Sequence, residues 1–260
     1  MDWVHGLSGF LVGALVGMTG VGGGSLMAPI LILLLGVSAP TAVGTDLWFA
    51  AITKTVGSGV HHSLGQPDWQ VVRRLAYGSI PASIVTSLVL SQMDMDPIKR
   101  GLIVNALGLL LIVTAIATLG WGKIQQYAMR FDPDSATAYT RRQPAFTVAA
   151  GVVLGVLVTL TSIGAGALGA AMLIALYPLR MTAKRLVGTD IVHAVPLTVV
   201  AGLGHLWMGN VDFPLLGSLL VGSIPGIIIG SLLATRFASG WIRPVLAVVL
   251  AISGIKMLLN

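Results

Sequence analysis

Thr19-Gly20-Val21-Gly22-Gly23-Gly24-Ser25 interrupts a run that is otherwise apolar from residue 5 to residue 35. Glycine in a helix costs about 1 kcal/mol relative to alanine, so this cluster predicts a helix break. As one unbroken helix, residues 5–35 would be roughly 46 Å long against a hydrocarbon core of about 30 Å. Half-helices folded back at the glycines would be about 16–21 Å each, enough to reach the middle of a membrane and return. Backbone amides exposed at that depth are tolerated only where they line a cavity, so the break predicts a binding site.

The rest of the 260-residue chain agrees about the solvent, being 55% hydrophobic and only 9% charged, with a mean hydropathy of +0.93. That composition excludes a soluble globular domain and predicts an all-α polytopic membrane protein. The formal net charge of +6 is read as cytoplasmic loops obeying the positive-inside rule, with no nucleic acid as partner. The chain has no cysteine, which removes disulfides, thiolate metal sites and cysteine nucleophiles together. The first apolar run is too long for a signal-peptide core and leads directly into the glycines, so no cleavable leader is expected.

Further apolar runs lie at about 41–62, 72–91, 98–120, 145–178, 183–207, 213–235 and 241–258. Residues 121–144 form the one hydrophilic connection, with Lys123, Arg130, Asp132, Asp134, Arg141 and Arg142, and divide the chain into units 1–120 and 145–260. The second unit repeats the first at a constant offset of 144. Gly44-Thr45-Asp46 recurs as Gly188-Thr189-Asp190, and Gly78-Ser79-Ile80-Pro81 as Gly222-Ser223-Ile224-Pro225. His61, Gly65 and Asp68 recur as His205, Gly209 and Asp212, and Gly20 and Gly22 as Gly164 and Gly166. Duplication of this kind marks secondary-transporter folds, whose site lies near mid-membrane between the repeats.

Lysine and arginine distribution separates parallel from inverted repeats. If all eight apolar segments cross, the basic residues divide seven against seven. If segments 5–35 and 145–178 are instead re-entrant hairpins, the division is eleven against three, with Lys54 inside the membrane. The positive-inside rule favours the second arrangement. It predicts two inverted repeats, each a broken helical hairpin plus three transmembrane helices, a cytoplasmic connecting loop and periplasmic termini.

At each hairpin tip the second half-helix would begin with unpaired amides and a positive dipole end, which favour an anion. Gly22, Gly23, Gly24, Gly164 and Gly166 are therefore candidate substrate-binding positions, with the hydroxyls of Thr19, Ser25, Thr161 and Ser162 beside them. The alternative is that the glycines serve close helix packing alone. Lys54 sits mid-span, and its repeat partner is Thr198, so symmetry gives the ammonium no structural reason to be there. An ionisable group in the membrane is a functional candidate, here a countercharge for a bound anion. Pairing with Asp46 along the same helix is disfavoured by about 12 Å of rise.

Asp46 and Asp190 follow Gly-Thr near the starts of their spans. Two readings stand: capping carboxylates in a first turn, or groups that take up a proton or cation coupled to transport. His193, three residues after Asp190 on the same face, makes that pair the best candidate for proton coupling. His61, His62, His205, Asp68 and Asp212 lie at span ends and read as interfacial caps, with no metal site. Gly78–Pro81 and its twin read as helix kinks and the six tryptophans as interfacial anchors.

Gly20-Val21-Gly22-Gly23-Gly24, then Pro29, then Ala42-Val43-Gly44-Thr45-Asp46, repeated as Val187-Gly188-Thr189-Asp190, resembles the TauE/SafE sulfite-exporter family, also called toluene-sulfonate uptake permeases. The similarity covers nearly the whole chain outside residues 121–144. It implies a permease of the bacterial inner membrane that moves sulfite, sulfonates or related organosulfur anions without ATP. Many members carry Ser or Asn where this chain has Asp46 and Asp190.

The expectation is thus a secondary transporter of a small sulfur-containing anion, bound mid-membrane between two glycine-rich tips and reached by alternating access. A permease for another small anion or a carboxylate, and a passive anion channel, are the alternatives. An enzyme would need a nucleophile, base and oxyanion donors together, or three metal ligands on one side; the sequence offers neither, and no cofactor is expected.

Overall fold

The computed structural model describes residues 3–19, 23–60, 67–93, 97–123, 126, 137–178, 180–234 and 242–259, and these contain helices and no strands. In chain order they are α1 (Trp3–Thr19), a 3-10 turn (Gly23–Leu26), α2 (Met27–Leu33), α3 (Ala39–Val60), α4 (Trp69–Gln92) and α5 (Pro97–Leu119). The second half follows with α6 (Thr137–Thr161), α7 (Ala167–Leu176), α8 (Ala183–Trp207), α9 (Phe213–Ala234) and α10 (Ile242–Leu259). Five stretches are long and apolar enough to cross a membrane: Trp69–Gln92, Gly101–Leu119, Arg142–Thr161, Lys184–Trp207 and Phe213–Leu233. Leu88, Val89, Ile116, Val248 and Ile252 stay exposed on the outside of the bundle, as a lipid-facing surface requires. Met27, Leu31, Val43, Leu47, Leu107, Leu111, Leu197 and Leu250 are fully packed inside.

Both expected breaks are present, but their legs are unequal. α1 ends at Thr19, and the described chain resumes at Gly23 in a 3-10 turn that leads into α2, so a leg of about 25 Å is followed by a short helix of about 10 Å. Gly20, Val21 and Gly22 lie outside the described residues. In the second unit, Ser162 takes φ +58° and Gly164 φ +122°, which no helix accommodates, and α7 starts three residues later. Its outward leg α6 is 25 residues, about 37 Å, where a half-helix of 16–21 Å was expected. The reason is that α6 begins at Thr137, inside the hydrophilic connection: hydropathy marks where a helix meets lipid, and backbone hydrogen bonding continues past that point.

Small residues seat the helices on one another. Along α1, Gly9, Gly13 and Gly17 meet the backbone of Leu219, Ser223 and Ile227 in that order, while Gly222, Gly226 and Gly230 meet Gly6, Phe10 and Ala14. α1 and α9 therefore run parallel in backbone contact. Leu75, Ser79 and Ser83 of α4 likewise meet Gly151, Gly155 and Thr159 of α6, again parallel. Lipid supplies no hydrophobic force between helices, so this close approach, with its dispersion contacts, is what holds such pairs.

Three further series fix the middle of the bundle. Gly44, Trp48 and Lys54 of α3 meet Asn210, Gly202 and Asp190, so α3 and α8 run antiparallel. Thr45 and Thr53 of α3 meet Asp212 and Ser223, so α3 and α9 run parallel. Thr189, His193 and Gly204 of α8 meet Asp68, Ser79 and Ser87, so α8 and α4 run parallel. The offset of 144 exchanges two of these contacts: Thr45 Oγ1 accepts from the Asp212 amide at 3.1 Å, and Thr189 Oγ1 accepts from the Asp68 amide at 2.9 Å. Thr45→Val and Thr189→Val should each cost about 1–3 kcal/mol, the penalty for orphaning a buried amide. Melting of the purified protein in detergent checks this; unchanged melting would mean that water replaces the hydroxyl.

Candidate functional site

The turn between α6 and α7 and the short helix α2 lie against α3 and α8, which carry the duplicated Gly-Thr-Asp motif. Asp46 is 0% and Asp190 2% exposed. Neither lies in a first turn. α3 starts at Ala39-Pro40, proline being favourable in an opening turn, and α8 starts after Thr182, whose Oγ1 accepts from the Arg185 amide at 3.4 Å. Each aspartate is thus about two turns inside its helix, and the capping reading of the pair is corrected. The runs expected at about 41–62 and 183–207 start where the helices do; what fails is the cap reading, because Gly-Thr-Asp has a cap's composition yet stands inside the helix.

Lys54 joins the two units. Its Nζ donates to the Ala165 carbonyl in the turn between α6 and α7, at 2.5 Å, and lies 4.0 Å from Asp190 Oδ2 of α8. The absence of a Cβ at Gly169, where one would stand 2.9 Å from Asp190 Oδ1, lets this carboxylate lie against the first turn of α7. The positive end of that helix dipole suits the negative charge. Asp46 faces the Ser162 hydroxyl and the Ala28 amide without closing a hydrogen bond to either. Both oxygens of Asp46, Oδ2 of Asp190 and the hydroxyl of Ser162 are buried with no hydrogen-bond partner among the described residues. Polar groups in that condition are costly, and they mark where a bound species or a proton would be stabilised.

The remaining candidates fall around this centre. Ser25 is buried in the 3-10 turn that Gly23 and Gly24 open. Thr19 ends α1 and Gly22 lies outside the described residues. Gly164 accepts from the amides of Gly166 and Gly169, both at 2.9 Å, which closes the second turn on itself. Thr161 Oγ1 accepts from the Ile163 amide at 3.1 Å and so braces the same turn. His193 does not pair with Asp190: its Nε2 meets Ser79 Oγ of α4 at 2.9 Å. α8 is packed between α3 and α4, and each neighbour takes one of the two side chains. Thr198, the repeat partner of Lys54, turns its hydroxyl to its own helix at Ala194, 2.9 Å away.

Away from the centre, Asp68 and Asp212 cap α4 and α9 through the amides of Val71 and Leu215, at 3.3 and 2.9 Å. His205 is buried, with Nε2 2.9 Å from the Thr159 carbonyl, so it ties α8 to α6 and is no interfacial cap. His61 and His62 lie outside the described residues. Sequence reasoning missed the cross-unit acceptors Thr45 and Thr189, the Thr53–Ser223 contact at 3.1 Å, and the grip of Arg180 and Arg185 on Asp68. A usable signal existed for the first pair, since the offset carries both members of one contact onto the other.

The family model for sulfite exporter TauE/SafE matches residues 6–257. A probable membrane transporter protein, YjnA of Bacillus subtilis strain 168, is 38% identical over 97% of this chain and 98% of its own length. Two more probable membrane transporter proteins match at 26%: YdhB of the same strain, over 96% of this chain and 97% of its own length, and MJ0441 of Methanocaldococcus jannaschii, over 96% and 93%. No solved structure matches.

Proposed function

We propose a mechanism on one premise: the chain belongs to the sulfite exporter TauE/SafE family and is a multi-pass membrane transporter. Its substrate is a small sulfur-containing anion, sulfite or an organosulfonate, bound at mid-membrane between the two hairpin turns. The observation that carries this reading is the half-buried Lys54 ammonium of the first unit, which meets both the turn between α6 and α7 and the Gly-Thr-Asp motif of α8 in the second unit. It supplies the cation an anion would need there. Among the described residues no three His, Asp or Glu gather as metal ligands, and the buried Ser162 hydroxyl at the second turn has no partner, which suits an oxyanion.

Inverted repeats are supported by the helix directions. α3 and α8 correspond at the offset of 144 and run antiparallel. α1 rises along α9 from its start, and α3 begins beside that same end through Thr45 and Asp212, so the first hairpin enters and leaves on one side. The second does so from the opposite side, along α4 and back to Thr189 beside Asp68. Alternating access would then be a rocking of one unit against the other about the tips. The eleven-to-three basic-residue count puts the connecting loop in the cytoplasm and the termini in the periplasm of a bacterial inner membrane.

Uptake of labelled sulfite and a panel of short sulfonates by purified protein in liposomes tests the reading. Saturable flux, faster under an imposed proton gradient, is the expected result. Flux that never saturates would identify a channel, and no flux from correctly inserted protein would return the substrate to other anions or carboxylates.

A further inference from the structure

Resting on that anion reading, we propose that Asp190 is a tethered competitor of the substrate: it holds Lys54 and the first turn of α7, and releases them to an incoming anion by taking a proton.

The first argument is a charge count. Among the described residues the centre contains one cation, the half-buried Lys54, and two buried carboxylates, Asp46 and Asp190. His193 is turned to the Ser79 hydroxyl of α4 and is counted as neutral. With all three ionised, the centre already has one negative charge in excess, and a monovalent anion would add a second, far from water. If one proton enters with each anion, the total charge does not change. A proton and an anion arriving together therefore meet no electrostatic barrier of their own making.

The second argument is position. Asp190 occupies the two features an anion would use. It faces the ammonium across 4.0 Å, and its other oxygen lies on the α7 turn at the place that only a glycine, Gly169, leaves open. The hold is loose. Oδ2 has no hydrogen bond and its cation stands 4.0 Å away, whereas Asp68 receives a hydrogen bond from Arg180 Nη2 on Oδ1 at 2.9 Å and has Arg185 Nη2 3.2 Å from Oδ2. A loosely held carboxylate at a lysine is displaced at little cost, and Lys54 keeps its second partner, the Ala165 carbonyl, throughout.

The other groups around Asp190 do not substitute for it. α3 brings Lys54 and Asp46; α8 itself brings His193, turned to Ser79. α7 has no titratable side chain. α4 and α6 bring neither carboxylate, lysine nor histidine; their arginines lie in the opening turns, and Tyr77 of α4 faces outward. Asp46 meets Ser162 and Ala28 and, among the described residues, has no cation within ion-pair distance; Lys54 acts on it only through longer-range charge, so Asp190 is the carboxylate next to the ammonium.

Calorimetric binding of methanesulfonate, an anion ionised over the whole working range, tests this between about pH 5.5 and 8.5. For the unaltered protein, affinity should rise by up to about tenfold for each unit fall in pH, the linkage slope for one proton. Repeating the titration in buffers of different ionisation heat should give close to one proton taken up per anion. Asp190→Asn should bind at all pH values about as tightly as the unaltered protein does at its lowest pH, with no proton uptake; Asp46→Asn should retain the slope. A pH-independent affinity in the unaltered protein, a slope that survives Asp190→Asn, or one lost only in Asp46→Asn would overturn the proposal while leaving an anion site in place. If neither methanesulfonate nor sulfite binds any of the three proteins at any pH, the anion reading itself falls. Should Asp190→Asn fail to yield monodisperse protein, the slope and proton count of the unaltered protein decide alone.

Discussion

Lys54→Met abolishes saturable anion uptake, and the dissociation constant for any transported anion rises by at least about 100-fold. An ammonium and an anion about 4 Å apart at an effective dielectric of 20 attract by about 4 kcal/mol, roughly a thousandfold in affinity, and part of that is regained by relaxation. Among the described residues Lys54 is the one cation that meets the α6–α7 turn, through Ala165, and Asp190, so nothing replaces it. Removing it also leaves Asp46 and Asp190 as two buried carboxylates without a cation, a defect of about 3–5 kcal/mol when one partner of a buried pair is deleted. Loss of binding could then be loss of fold. The double variant Lys54→Met, Asp190→Asn separates these, because it removes one buried negative charge together with the positive one. It should melt closer to the unaltered protein than Lys54→Met does, and it should still fail to bind. Wild-type affinity in a folded Lys54→Met protein would take the lysine out of the site.

The site was legible in the sequence where the chain breaks a local rule, and illegible where a partner comes from far away. Four glycines in an apolar run, and a lysine whose repeat partner is threonine, stand out without any structure, and both belong to the region around the turns. Asp190 stood out too, but its partner could not be found by spacing: His193 at three residues satisfies every helical rule, and yet the cation comes from Lys54, 136 positions away in the other unit. The cap reading failed for a related reason, although the expected starts at about 41 and 183 match Ala39 and Ala183. Gly-Thr-Asp has the composition of a cap at both Asp46 and Asp190, yet the helices already run through Ala39–Gly44 and Ala183–Gly188 upstream of it. The 3-10 turn and the left-handed Ser162 were beyond a sequence reading, since a serine at φ +58° is held there by its surroundings.

Gly222→Ala gives the second large effect, on the fold first and on transport through it. Gly222 faces the carbonyl of Gly6 and the amide of Phe10, so an added Cβ would overlap backbone on both sides, and no side chain could rotate away. α1 must lift off α9. Overpacking of a close helix contact costs about 1–3 kcal/mol, with backbone against backbone at the upper end or beyond it. Gly217→Ala on the same helix is the matched control: nothing lies within 4 Å of its Cβ, and alanine gains about 1 kcal/mol of helix propensity. Melting in detergent should therefore fall for the first and hold or rise for the second. Uptake should follow, even with Lys54 and both aspartates intact, because α1 carries the 3-10 turn of Gly23, Gly24 and Ser25, and a displaced α1 takes that turn with it. Gly78→Ala should repeat the result through Val148 of α6 and the second turn. Equal effects at Gly222 and Gly78 would mean that the two hairpins are held alike, each by a helix of the other unit. A large effect at only one would mean that a single hairpin is locked in place and the other is free to move during transport.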